Sequence, residues 1–332
     1  MSRRTFADDR YETMNYRRSG RSGLLLPAVS LGFWQALGEA GAEDTCREVC
    51  YTALDHGLTH FDLANNYGKP GGHSEQVVGR ILKDMPRDEL IVSTKAGYRM
   101  WPGPYGDHGS KKYLAASLDQ SLGRLGLDYV DIFYHHRPDP ETPLEETLGA
   151  LDLIVRQGKA LYAGVSNYTG QQFRDACDVI ARHDWAPITI HQPCYNMINR
   201  KPAADLFPHT AAAGTGVITF SPLAQGRLTD RYLDGLPEDS RWGKRGRRGK
   251  QWYAEQERLG IWEMARRLRE VAQRRGQTLA QLAITWQLTD PRVTSVLVGV
   301  SKVEQLEENV AAANAEPLSD EEMDEIENIL SD

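Results

Sequence analysis

Phe61-Asp62-Leu63-Ala64-Asn65-Asn66-Tyr67-Gly68 is an apolar strand end running into a polar turn that carries an acid and a phenol. A short apolar run beginning at Leu58 leads into Asp62, and Tyr67 stands just beyond it, so both side chains can reach one pocket at the strand's carboxyl end. A buried Asp beside a Tyr is as often a structural hydrogen bond as a catalytic pair. The units on either side of this stretch decide between the two.

Before it, residues 14 to 32 hold two short extended runs around Ser19-Gly20-Arg21-Ser22-Gly23, a hairpin leading into a strand over Ala28 to Gly32. A helical period over Asp44 to His56 follows, then the strand Leu58 to Asp62 and a helix over Ser74 to Lys83 with Ser74 as its cap. The alternation continues with strand Leu90 to Lys95, helix Lys111 to Leu125, strand Tyr129 to His136, and helix Pro143 to Gln157 capped by Thr142. Strand Ala160 to Ser166, helix Gly170 to His183, strand Ile188 to Gln192, helix Pro202 to Ala213 and strand Gly216 to Phe220 come next. Strand Ser295 to Val298 and helix Val303 to Ala313 complete eight units.

Eight strand and helix units close a parallel sheet into a (β/α)8 TIM barrel, here with an N-terminal β-hairpin and extra C-terminal helices. A doubly wound sheet would want a glycine-rich phosphate turn after its first strand, and Leu31-Gly32-Phe33-Trp34-Gln35 is not one. Although 332 residues would divide into two average domains, an α/β barrel of about 250 residues plus insertions is one. The expected organisation is a tail over 1–13 and a barrel over 14–332, with a long loop over about 222–256.

The formal charge of -7 argues against a general nucleic-acid or anionic-membrane surface. No apolar run approaches the roughly 20 residues that span a bilayer. Met1-Ser2-Arg3-Arg4 is followed by Asp8, Asp9 and Arg10 where a twin-arginine signal needs an apolar segment, so the N-terminus reads as an uncleaved tail and the protein as cytoplasmic. Cys46, Cys50, Cys177 and Cys194 are too few and scattered for a disulfide framework, and no histidine or cysteine has a convincing metal partner; no metal is expected.

Barrels present reacting groups where strands end, and here the closing residues are Asp62, Lys95, His136, Ser166, Asn167, Gln192 and Phe220. Strand alternation puts His136 on the face of Ile132 and Tyr134 and turns His135 away. Asp62, Tyr67, Lys95 and His136 together make a proton-donating device. A free phenol titrates near 10; an ammonium beside it lowers that value, and Asp62 keeps the ammonium charged. Such a Tyr can protonate a carbonyl oxygen while hydride arrives at carbon, which calls for a cofactor.

Six segments resemble the aldo-keto reductases, in the branch that is similar to the potassium-channel beta subunits. They are the Phe61 to Gly68 stretch, Ser93-Thr94-Lys95-Ala96-Gly97-Tyr98, Tyr129-Val130-Asp131-Ile132-Phe133-Tyr134, Gly164-Val165-Ser166-Asn167-Tyr168, Ser221-Pro222-Leu223-Ala224-Gln225-Gly226 and Glu304-Gln305-Leu306-Glu307-Glu308-Asn309. The resemblance implies that Tyr67 is the acid, that Lys95 and Asp62 tune it, and that His136 positions the carbonyl. It implies that Ser166, Asn167 and Gln192 hold a nicotinamide amide, Phe220 stacks on the ring, and Ser221, Pro222, Leu223, Gln225 and Gly226 cradle a pyrophosphate.

Gly299, Ser301, Gln305, Glu308 and Asn309 would take the adenosine end. Many family members carry a Lys-Ser pair where this chain has Val300-Ser301, so a direct cation for a 2′-phosphate is missing there. Arg231 and Arg241 stand where the channel-subunit branch uses basic residues, and NADPH is the expected cofactor. Trp34, counted among both the cofactor and the substrate contacts, and Trp101 look like pocket walls. The implied substrates are small aldehydes such as L-glyceraldehyde 3-phosphate and methylglyoxal, and the implied assembly is a homo-oligomer, a tetramer or octamer.

Two other functions compete. One is a nucleotide-binding, redox-sensing subunit with slow turnover, which His136 opposes because the channel subunits carry Asn there. The other is an isomerase or aldolase using Lys95, which Asp62 opposes by holding the amine charged. The run Lys244-Arg245-Gly246-Arg247-Arg248-Gly249-Lys250 reads as a solvated face or as a flap over an anionic ligand.

Overall fold

Strand pairing in the computed structural model, which describes residues 4–34, 37 and 41–331, runs in parallel around a closed ring. β3 (Val29–Gly32), β4 (His60–Asp62), β5 (Ile91–Ala96), β6 (Val130–His135), β7 (Ala160–Ser166), β8 (Ile188–Gln192) and β9 (Gly216–Thr219) follow one another, and β10 (Val293–Val298) closes back onto β3. The expected (β/α)8 barrel is therefore the fold. β1 (Tyr16–Arg18) and β2 (Leu25–Pro27) form the antiparallel hairpin.

The helices around the ring are α1 (Glu43–Asp55), α2 (His73–Leu82), α3 (Lys111–Leu125), α4 (Leu144–Arg156), α5 (Gly170–His183), α6 (Lys201–Asp205), α7 (Phe207–Ala213), α8 (Arg247–Arg258), α9 (Ile261–Arg274), α10 (Leu279–Thr289), α11 (Val303–Ala311) and α12 (Asp320–Ser331). Most of them bury one stripe, whereas α10 is buried on nearly all sides and the short α6 buries no residue. Cys46 and Cys50 illustrate the stripe: one turn apart on α1, both are fully buried against the sheet's outer face.

Inside the barrel the wall has two characters. Ile132, Tyr134, Ile190, Ile218 and Leu297 pack as an apolar cluster with Leu24 and Leu26, which the hairpin inserts from below. The inward positions of β3, β4, β5 and β10 carry polar residues instead, among them Ser30, His60, Ser93 and Ser295, all fully buried. Each must be hydrogen-bonded there, because an unpaired buried polar group costs about 1–3 kcal/mol.

Local departures from the sequence reading have identifiable causes. Ser74 does not cap α2: Gly72, at φ 88°, holds that position, and Ser74 Oγ donates to the Phe33 carbonyl at 3.1 Å. Thr142 does not cap α4 either, whose N-cap is Pro143 with no side-chain bond. The single helix expected over Pro202 to Ala213 breaks at Leu206, because Pro208 has no N–H to continue the ladder. The segment 222–256 is no simple loop. Residues 247 to 258 form α8, held by Trp252, which stacks on Trp242 at 4.2 Å and meets Tyr232 and Trp262 edge-on.

Candidate active site

Asp62 closes β4 and Lys95 stands near the end of β5, so adjacent strands deliver an acid and an amine to one level of the barrel. Lys95 Nζ donates to Asp62 Oδ2 at 2.5 Å and to the Leu63 carbonyl at 2.7 Å, with both side chains fully buried. Asp62 Oδ1 accepts from Ser93 Oγ at 2.6 Å and Gln192 Nε2 at 3.2 Å. Two neutral donors, Ser93 and Gln192, and one acceptor, the Leu63 carbonyl, thus support a buried ion pair that would otherwise be too costly to hold.

Tyr67 lies in the turn after β4, its ring centroid 5.1 Å from Lys95 Nζ and 5.9 Å from the His136 ring. His136 follows the end of β6 on the inward face, and His135, turned outward, bonds the Tyr168 hydroxyl at 2.8 Å instead. Asp62, Tyr67, Lys95 and His136 therefore gather at one mouth, as the strand ends suggested.

Their proton affinities differ from the simple expectation in one respect. The phenol of Tyr67 is held well above its ordinary pKa, by burial first and then by Asp62 and Tyr98, rather than lowered by Lys95. The ammonium gives two of its three hydrogens to Asp62 and Leu63. Burial pulls Lys95 down against the opposing pull of Asp62. Burial, with Lys95, His135 and Arg137 beside it, also holds His136 well below its usual value. At neutral pH these shifts favour a protonated phenol facing an uncharged imidazole, whose Nδ1 has no partner among the described residues.

The residues around the mouth fit a nicotinamide dinucleotide. Asn167, at φ 62°, donates Nδ2 to the His136 carbonyl and Ser166 Oγ, each at 3.0 Å, so its outward offer is an acceptor oxygen suited to a carboxamide N–H. Ser166 Oγ donates to the Gln192 carbonyl at 2.8 Å and is internally committed. Phe220 is half-buried at the end of β9, one edge on the interior cluster. After it Ser221, Ala224, Gln225 and Gly226 all take positive φ, a tight cradle at the carboxyl face that Asn196 pins by donating Nδ2 to the Ser221 carbonyl at 2.9 Å. Pro222 is buried and Leu223 half-buried within it.

Among the residues expected at the adenosine end, Gly299 has open space where a side chain would stand. Gln305 Oε1 accepts from the backbone N–H of Ser301 at 2.8 Å and from its hydroxyl at 3.0 Å, Asn309 is buried, and the Glu308 carbonyl is fixed by Gln281 at 3.1 Å. The two expected arginines differ. Arg231 pairs with Asp239 at 2.9 Å, whereas the half-buried Arg241 lies 5.3 Å over the ring of Trp34, its Nε without a hydrogen-bond partner among the described residues. Trp34 is 49 % exposed, and Trp101 packs 5.0 Å from Tyr113 beneath the mouth.

Sequence reasoning passed over three groups. Tyr98 stands edge-on to His136 at 4.7 Å; Arg137 lies 4.5 Å over the Tyr98 ring and bonds the Gly97 carbonyl and Asp107. Asn196 pins the cradle. Arg137, next to His136 at the same strand end, carried the clearest unused signal.

A parallel barrel carries a Tyr, Lys, Asp and His set at its mouth and a tight turn of positive-φ residues after the seventh barrel strand. The chain belongs to the aldo/keto reductase family, whose model matches residues 28–331, and it is an oxidoreductase of that family. It is 50% identical over 329 residues, 98% of this chain and 94% of the other, to a protein of Escherichia coli O157:H7 named L-glyceraldehyde 3-phosphate reductase. The protein of the same name from Escherichia coli K12 is 49% identical over the same shares. A probable voltage-gated potassium channel subunit beta of Arabidopsis thaliana is 34% identical over 92% of this chain and 93% of its own length. No helix among the described residues is long and apolar enough to cross a membrane.

Proposed function

We propose that this chain reduces small aldehydes to alcohols with NADPH, L-glyceraldehyde 3-phosphate and methylglyoxal being its substrates. The observation that carries the proposal is the Tyr67 ring set beside His136 and the buried Lys95–Asp62 pair, where burial favours the protonated phenol and the neutral imidazole. Relatives half identical to this chain bear the name of the first substrate, which supports the choice. A half-buried Arg241 with an unpartnered Nε supports NADPH over NADH, since a guanidinium suits a phosphate.

The nicotinamide, when bound, supplies the hydride. Everything else falls to the chain. His136 and Tyr67 orient the carbonyl oxygen, and Tyr67 gives it the proton. Lys95 stabilises the phenolate left behind, and Asp62 prevents Lys95 from leaving as a neutral amine. Trp34 and Trp101 wall the pocket. The same reading places the chain in the cytoplasm as a homo-oligomer.

Oxidation of NADPH and of NADH is measured with L-glyceraldehyde 3-phosphate, methylglyoxal and an aromatic aldehyde, for wild type and Tyr67→Phe. NADPH-preferring turnover abolished by the substitution supports the proposal. Tight nucleotide binding with negligible turnover on all three aldehydes overturns it in favour of a binding subunit.

A further inference from the structure

Four polar side chains cross the barrel interior in a continuous line that ends on Asp62. Ser295 Oγ on β10 lies 2.6 Å from Ser30 Oγ on β3; Ser30 Oγ lies 2.9 Å from His60 Nδ1 on β4. His60 Nε2 lies 3.0 Å from Ser93 Oγ on β5, and Ser93 Oγ lies 2.6 Å from Asp62 Oδ1. All five residues are fully buried. The line climbs across four neighbouring strands from the middle of the barrel to its mouth.

The direction of every hydrogen in this line follows from its end. A carboxylate paired with Lys95 only accepts, so the Ser93 hydroxyl donates to Asp62. That hydroxyl has one hydrogen, so the contact with His60 must be filled by Nε2–H donating to Ser93 Oγ. Burial lowers the His60 pKa to about 4, so the ring is neutral and its Nδ1 accepts from Ser30. Ser30 has then spent its hydrogen, and Ser295 must donate to it rather than across 3.4 Å to the Ala28 carbonyl. Each link polarises the next, and the line is strongest when every member points one way.

We propose that Ser295, Ser30, His60 and Ser93 are positioning residues for the reaction, a one-way hydrogen-bond line that keeps the Ser93 hydroxyl on Asp62 Oδ1 and thereby leaves Oδ2 to Lys95. The proposal rests on reading Tyr67, Lys95 and Asp62 as the proton-donating group. None of the four touches substrate; they act through Asp62. The charged groups facing His60 are Asp62 and Lys95, and β3 and β10 on its other side carry no charged residue. His60 therefore answers to the ion pair alone.

The first test does not depend on turnover. In protein labelled with 15N-histidine, the His60 signals, assigned by their loss in His60→Gln, are expected to show a neutral ring protonated at Nε2 at neutral pH. A proton on Nδ1, or a charged ring, overturns the proposal.

The second test reads catalysis. Ser30→Ala is expected to lower kcat on the order of tenfold, as loss of one hydrogen bond's orienting effect does, with KM for the aldehyde unchanged. The alkaline limb of its kcat profile should move, and Ser30→Thr, which keeps the hydroxyl, should restore both. A Ser30→Ala enzyme that is less stable but has the wild-type kcat and pH profile reduces the line to a structural role and overturns the proposal. If wild type reduces no aldehyde, the proposed function fails, while the tautomer measurement still decides the line itself.

Discussion

Lys95→Met separates the electrostatics of the site from its chemistry. The substitution keeps the stem's volume and removes the one cation facing Asp62 at 2.5 Å, both partners being fully buried. Asp62 then keeps only Ser93 at 2.6 Å and Gln192 at 3.2 Å, two neutral donors. Removing one partner of a buried pair costs about 3–5 kcal/mol, because a charge is left in low dielectric without compensation. Adding Asp62→Asn removes that stranded charge, and most of the loss should return. The Leu63 carbonyl still lacks its donor, so about 1 kcal/mol stays lost.

Urea unfolding followed by tryptophan fluorescence and by far-ultraviolet circular dichroism gives both numbers, provided the two probes coincide. On the proposed mechanism neither variant should reduce an aldehyde, since the phenolate of Tyr67 would have lost its cation. A Lys95→Met loss below about 1 kcal/mol, with no recovery in the double variant, would refute the claim that the ion pair is a buried charge pair requiring both members.

Three further outcomes follow from the packing. His191 lies buried against the rings of Tyr168 and Phe173, and burial lowers its pKa to about 3. Its folded pKa is below its unfolded one of about 6.5, so the unfolded chain takes up the extra proton and stability falls as pH drops below that value, by about 2 kcal/mol for this group at pH 5. Unfolding free energies from urea titrations at pH 8 and pH 5 should differ by that much less in His191→Leu than in wild type. Gly79→Ala and Gly123→Ala should have opposite signs. A methyl on Gly79 would stand 2.6 Å from the Leu125 carbonyl and force α2 off α3, costing about 1–3 kcal/mol or more, whereas Gly123 has nothing within 4 Å and gains about 0.5–1 kcal/mol of helix propensity, both read by urea unfolding. Trp252→Ala removes the stack on Trp242 and should expose the segment 236–250 to limited proteolysis at a protease level that leaves wild type intact.

The barrel was legible because its strands alternate under a constraint that leaves a mark. An inward side chain every second residue, closed by a polar group at the carboxyl end, picked out Asp62, Lys95, Ser166 and Gln192 and told His136 from His135. What stayed illegible lies where the cause is tertiary. α8 begins in a run of Lys, Arg and Gly that has every local reason to be a loop, and it is helical because Trp252, on the same turn sequence, finds Trp242 and Trp262. α10 was passed over for a different reason. Its capping box, Thr278 with Gln281, was readable, but its near-uniformly buried surface shows no amphipathic period. The direction of the Tyr67 shift was out of reach too, since it depends on where the hydrogens of Lys95 go.

That last point connects the polar half of the barrel to its mouth. In the proposed reaction, a phenol this buried donates its proton only if the resulting phenolate finds an ammonium that is charged yet not wholly consumed by its partner. Asp62 holds Lys95 with Oδ2 alone, because Oδ1 is already occupied by Ser93 and Gln192. Were Oδ1 free, a bidentate pair would draw the ammonium further from the 5.1 Å it keeps from the Tyr67 ring. The polar residues on β10, β3, β4 and β5 thus limit how tightly the acid may grip the amine, and the apolar wall opposite, with Ile132 and Tyr134, keeps out the water that would screen the charge that remains.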